Sequence, residues 1–130
     1  MAFCDALRHK PLTNPKENYE HTIHPLFHLS GLNHPELFGW VGGFSSLVRD
    51  PEIALAKALA NPDPMNKKLK LLWIACGKDD RLIDNSRQFV EVLKKNGIRY
   101  ELLETEGNHS WPVWRRYLAD FAPLLFQERT

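Results

Sequence analysis

The 130-residue chain sets 17 basic against 16 acidic residues, a formal charge of +1, with 43% hydrophobic and 25% charged content. Those proportions suit one ordinary globular domain with a packed core. Neither sign of charge forms a long block, so there is no electrostatic case for a nucleic-acid or membrane partner. The densest basic cluster, Lys67, Lys68 and Lys70, reads as a solvated strand entrance rather than a phosphate site. Met1 to Lys10 lacks the basic-then-apolar order of a signal peptide, and no apolar run is long enough to cross a bilayer, which leaves the compartment open. Cys4 and Cys76 lie far apart, and Cys76 ends an apolar strand pattern, so a buried free thiol and no disulfide are expected.

Taken in chain order, residues 1–24 show little apolar periodicity and a turn-forming run from Pro11 to Pro15, which predicts an irregular or disordered segment. Residues 25–130 form the domain proper. Leu26, Phe27, Leu29 and Leu32 fit one helix face, and residues 39–44 read as a short buried strand. Asp50 and Pro51 are suited to the N-cap and first position of an alanine-rich helix that should end near Asn61 to Pro64. Residues 69–75 are a near-continuous apolar strand. Asp84 could cap the next helix, whose buried face is Phe89, Val90 and Leu93 and whose left-handed stop is Gly97. A third strand follows at 98–103. Ser110 opens a last helix with Trp114, Tyr117, Leu118, Phe121 and Leu125 at helical spacing.

Strands separated by helices imply parallel pairing with right-handed crossovers, in a sheet covered on both faces, with reactive groups beyond the carboxyl ends of the strands. Asp80 follows the 69–75 strand and His109 follows the 98–103 strand, so both fall on the same edge. Neighbouring parallel strands are roughly 5 Å apart, close enough for loops leaving the same end to join a carboxylate to an imidazole. Such a carboxylate fixes the tautomer of the histidine and lets it act as general base.

The runs Leu71 to Asp80, Glu106 to Trp111 and Trp114 to Phe126 resemble the carboxyl-terminal half of the α/β-hydrolase esterases related to enterochelin esterase, esterase D and the feruloyl and acetyl-xylan esterases. The segment from Gly31 to Ser45 is similar to the stretch after the nucleophile helix of that family, and the likeness spans roughly residues 29 to 126. The resemblance implies three parallel strands with flanking helices, a Ser-His-Asp mechanism without cofactor or metal, and a small-molecule or carbohydrate-linked ester as substrate. Family order maps the acid onto Asp80, with Asp79 its neighbouring competitor, and the base onto His109. The nucleophile should lie shortly before Leu26, but Tyr19 to Pro25 contain neither serine nor glycine. Ser30 sits within a helix pattern, and Ser45 and Ser46 come one strand too late. The chain is therefore expected to be an esterase by lineage, lacking its nucleophile and oxyanion hole and inactive alone; the alternative is an interaction or oligomerising module. A sheet that starts at the Trp40 strand should also expose an apolar edge that promotes self-association.

Two further groupings carry less. His21, His24, His28 and His34 have spacings that could gather imidazoles for zinc, but Pro25 interrupts the helix this requires. Trp111, two residues after His109, could border a substrate pocket, whereas Trp114 falls on the apolar helix stripe and reads as core.

Overall fold

The computed structural model describes residues 30–127 in full and the backbone of residues 2–6. Its elements are Ala2–Ala6 (β1), residues 30–33 (α1), Phe38–Phe44 (β2), Pro51–Ala54 (α2), Ala56–Ala60 (α3) and Pro62–Lys68 (α4). Leu71–Gly77 (β3), Ile83–Lys95 (α5), Glu101–Thr105 (β4), Trp111–Phe121 (α6) and a 3₁₀ turn at Ala122–Leu124 complete the order. The four strands make one sheet in the order β1-β2-β3-β4. β2, β3 and β4 pair in parallel, with Trp40 opposite Leu71 and Trp73 opposite Glu101. This is the three-stranded parallel arrangement the alternation of strand and helix predicts.

Period-two alternation sorts the strand side chains into two cores. Trp40 and Phe44 of β2 and Leu71, Trp73 and Ala75 of β3 face α6, where Val113, Tyr117 and Phe121 are buried against them. Val41, Leu72 and Ile74 face the other way, onto Leu55, Met65, Phe89, Val90 and Leu93 from α3 to α5 and their junctions. Every residue of β3 is buried, as a central strand covered on both faces must be. α6 can lie close to β2 because Gly42 has no side chain: a Cβ there would meet the Phe121 ring at 2.8 Å.

Several local expectations are revised. Ala2–Ala6 is a strand, not irregular, and it pairs antiparallel with β2 from Ala2↔Gly43 to Ala6↔Phe38. The edge of β2 expected to be open is thus closed by the chain's own first residues, which supply partners for its outward N–H and C=O groups; residues 7–24 lie outside the described part. Asp50 does precede a helix, but in left-handed backbone (φ 44°), and it contributes its carbonyl oxygen to Ile53 and Ala54 rather than a side-chain cap. The alanine-rich helix breaks at buried Leu55, and Pro62 starts α4 instead of ending the run, because proline is well placed at a first helical position. Asp84 lies inside the first turn of α5 rather than at its cap. The third strand begins at Glu101, while Ile98 is buried just before it. Gly97 is left-handed at φ +69°, as a helix stop requires.

Phe121 is 1% exposed and packs on Trp73 and Phe44, with ring centroids 5.5 and 5.9 Å away. Phe121→Ala should cost about 3–5 kcal/mol through lost burial and a residual cavity. Ile53→Ala, at a side chain 79% exposed, should stay within about 0.5 kcal/mol of wild type. Urea denaturation midpoints of the two variants give the comparison.

Candidate active site

Because β2, β3 and β4 are parallel, their last residues deliver three loops to one edge of the sheet. The β3 loop, Lys78 to Asp80, and the β4 loop, Glu106 to His109, are bonded backbone to backbone. Lys78 N–H donates to Thr105 O at 2.8 Å and Asp79 N–H to Gly107 O at 3.1 Å. Lys78 Nζ meets Glu106 Oε1 at 3.0 Å across the outside of the pair.

Those ties bring the predicted residues together. His109 Nδ1 lies 3.0 Å from Asp80 Oδ2 and 3.2 Å from Oδ1. An ionised carboxylate only accepts, so Nδ1 carries the proton and Nε2 of the neutral ring keeps its lone pair. The Asp80 side chain is fully enclosed, while that of His109 is 31% exposed. Asp80 is therefore the buried member of the pair and His109 the one that reaches solvent. Asp79 does not share this position; its carboxylate accepts the Gly107 N–H at 3.4 Å and braces the loop.

The buried carboxylate is held ionised. Burial by itself would raise its pKa, but the Ser45 hydroxyl, the Leu82 backbone N–H at 2.9 Å and the charge and ring N–H of His109 outweigh it and hold Asp80 below the ordinary value of 3.8. Asp80 also accepts the Ile83 N–H on its carbonyl, so the acid starts α5 as well as orienting the histidine.

Two contributors were missed by the sequence reading. Ser45, the residue after β2, is buried and accepts the Trp114 indole N–H at 3.1 Å. Trp114 packs against the core as its periodicity predicts, and it also sets its ring edge-to-face against His109, centroids 4.8 Å apart. No local pattern marks either role; the only signal in the sequence is the position of Ser45 at the end of a strand parallel to those carrying Asp80 and His109. The loop after Ser45 is fastened to α5 by Asn85, whose amide exchanges hydrogen bonds of 2.9 and 3.0 Å with the Val48 backbone.

Trp111, at the first position of α6, is 52% exposed. It does not line the groove of about 550 Å³ at the opposite end of the sheet, whose walls include Asn66, Leu69, Arg99 and Tyr100. His34 pairs with Glu36 at 3.1 Å, its three companions lie outside the described residues, and no group able to hold a metal occurs among the described residues. No described helix is long and apolar enough to cross a membrane.

No family model matches the chain. An acetyl esterase from Caldicellulosiruptor saccharolyticus is 39% identical over 49 residues, which are 38% of this chain and 18% of that protein. Among solved structures, a ferulic acid esterase superposes with a TM-score of 0.63 at 22% identity, over 74% of this chain and 44% of its own. The S-formylglutathione hydrolase FrmB of Staphylococcus aureus gives 0.66 at 18%, over 78% and 46%. The S. aureus serine hydrolase FphF gives 0.68 at 16%, over 81% and 51%. The chain is thus a partial relative of an acetyl esterase, and it shares part of the fold of these α/β-hydrolase-type structures. It spans 18% of the acetyl esterase and about half the length of these solved structures.

The depressed pKa of Asp80 links stability to pH. The unfolded chain binds the Asp80 proton at a higher pH than the folded one, so unfolding takes up a proton in acid. The stabilisation is complete above the ordinary aspartate value and is lost as pH falls below it toward the folded-state value. Wild-type stability should therefore decline from about pH 5 downward. Asp80→Asn should be less stable near neutrality and show a shallower acid limb, as read by thermal melts across the pH range.

Proposed function

We propose that this chain carries the acid and base of a Ser-His-Asp ester hydrolase, with His109 as general base and Asp80 as its orienting carboxylate. The observation that carries the reading is the 3.0 Å contact between Nδ1 of His109 and Asp80, made by loops leaving adjacent parallel strands. A histidine held in this way presents Nε2 to take a proton from a hydroxyl nucleophile and return it to the leaving alcohol. The substrate class that the relatives support is a carboxylic ester, and the chemistry needs no cofactor.

The nucleophile is proposed to come from outside the described residues. Among the described serines, Ser30 lies in α1, and the Ser45 hydroxyl is bonded to the Trp114 indole rather than to the base. An activated serine requires a base within reach and donors for the oxyanion. Without them the pair has nothing to activate, so the chain alone is proposed to be catalytically silent.

Initial rates on an aryl acetate test this reading. The chain alone should hydrolyse the ester no faster than the same concentration of free imidazole. Mixed with the nucleophile-bearing amino-terminal half of an esterase relative, it should gain serine-dependent turnover. In the mixture His109→Ala should abolish activity, Asp80→Asn should lower it on the order of 10³- to 10⁴-fold, and Asp79→Asn should do much less. Turnover by the chain alone that Ser30→Ala, Ser45→Ala or Ser46→Ala eliminates would overturn the proposal.

A further inference from the structure

Two side chains hold His109. Its Nδ1–H is shared by both Asp80 oxygens, at 3.2 and 3.0 Å, and its ring meets that of Trp114 at a centroid distance of 4.8 Å and an interplanar angle of 88°. The first contact ties down one atom and leaves the imidazole free to pivot about that bond, because the last torsion of a histidine is broad. The second sets the plane. A perpendicular pair at this separation is one of the favoured aromatic arrangements, and a pivoting ring would lose it.

Trp114 can act as a stop because it is itself fixed. Its indole N–H donates to Ser45 Oγ at 3.1 Å, and Ser45 is 3% exposed, with its own N–H bonded to Ala75 O at 2.8 Å where the β2–β3 ladder ends. The Trp114 backbone N–H donates to Ser110 O at 3.2 Å in the first turn of α6. Two further bonds from α6 grip the β4 loop at other points: Arg116 donates to Glu106 O at 3.1 Å, and Tyr117 Oη lies 2.6 Å from Thr105 Oγ1. Those bonds place the main chain that carries His109, whereas Trp114 touches the imidazole itself.

We infer that Trp114 is a positioning residue for the base: pinned to the end of β2 through Ser45, its indole holds the His109 imidazole in the plane that keeps Nδ1 on Asp80 and leaves Nε2 free to take a proton. The inference rests on Asp80 and His109 being a functional pair. The end of β2 thereby contributes to the pair without supplying a group that touches the proton.

The neutral His109 ring is observed by ¹⁵N NMR of the histidine-labelled chain, which separates Nδ1–H from Nε2–H tautomers and follows exchange of the Nδ1 proton with water. The wild-type ring should be mainly Nδ1–H and slow to exchange. Trp114→Leu keeps an apolar side chain on the α6 stripe and removes the ring; the Nδ1–H fraction should fall and exchange should quicken several-fold. Trp114→Phe keeps a ring beside the imidazole, loses the bond to Ser45, and should lie between the two. If Trp114 serves only the core, Trp114→Leu lowers the melting temperature and leaves tautomer and exchange as in wild type, which overturns the inference. Should Trp114→Leu fail to fold, Trp114→Phe decides: faster exchange there supports the inference, and wild-type exchange overturns it. A wild-type ring that is mainly Nε2–H shows instead that the Asp80–His109 pair has failed, and the inference falls with it.

Discussion

A Cβ on Gly77 would stand 2.0 Å from the carbonyl oxygen of Gly107, and the closeness of that crossing governs the rest of the site. Only with a glycine at 77 can the end of β3 pass so near the β4 loop, and Gly107 is left-handed at φ +118°, where a Cβ would meet Val113 of α6. The approach lets Lys78 and Asp79 donate their backbone N–H groups across to Thr105 and Gly107. Asp80 and His109 are thus brought together by main-chain bonds, and their side chains need only close the last few ångströms. Main-chain atoms have less freedom to wander than long side chains, so the geometry is set before the acid and base interact.

The acid shows why adjacent residues of one type can have different fates. Asp79 is exposed and Asp80 buried, with a single residue step between them. A buried carboxylate is costly unless donors replace its water. At Asp80 they come from the start of α5 through Leu82 and from the β4 loop through His109. The carboxylate therefore ties the loop after β3 to the start of α5 and to the loop after β4. Chemistry and stability are coupled there, because the bonds that keep the acid ionised also fasten the loops.

Asp80 and His109 follow neighbouring parallel strands, β3 and β4. β3 and β4 are joined by one helical crossover, α5, so the two loops that carry the pair are 29 residues apart along the chain. β1 completes the hydrogen bonding of β2 on its other side and gives the sheet an antiparallel margin. The proposed division of labour follows from this layout, with acid and base built by this chain and the nucleophile coming from elsewhere.

Much of this was legible from local pattern. The apolar runs and helical spacings are short-range properties, so the sequence determined three parallel strands, the helices between them, and the placement of Asp80 and His109 on one edge; parallel pairing obliges both loops to leave the same end. The break at Leu55, the restart at Pro62 and the strand at Ala2–Ala6 were decided by the tertiary structure, since propensity and periodicity in so few residues cannot say which neighbour will bury a side chain or pair an edge. The choice between Asp79 and Asp80 rested on family spacing until the loop geometry showed which carboxylate turns inward. Ser45 and Trp114 are 69 residues apart, and their bond depends on how α6 returns across the sheet. A periodic stripe assigns Trp114 to the core, but only packing in three dimensions decides where its single N–H points.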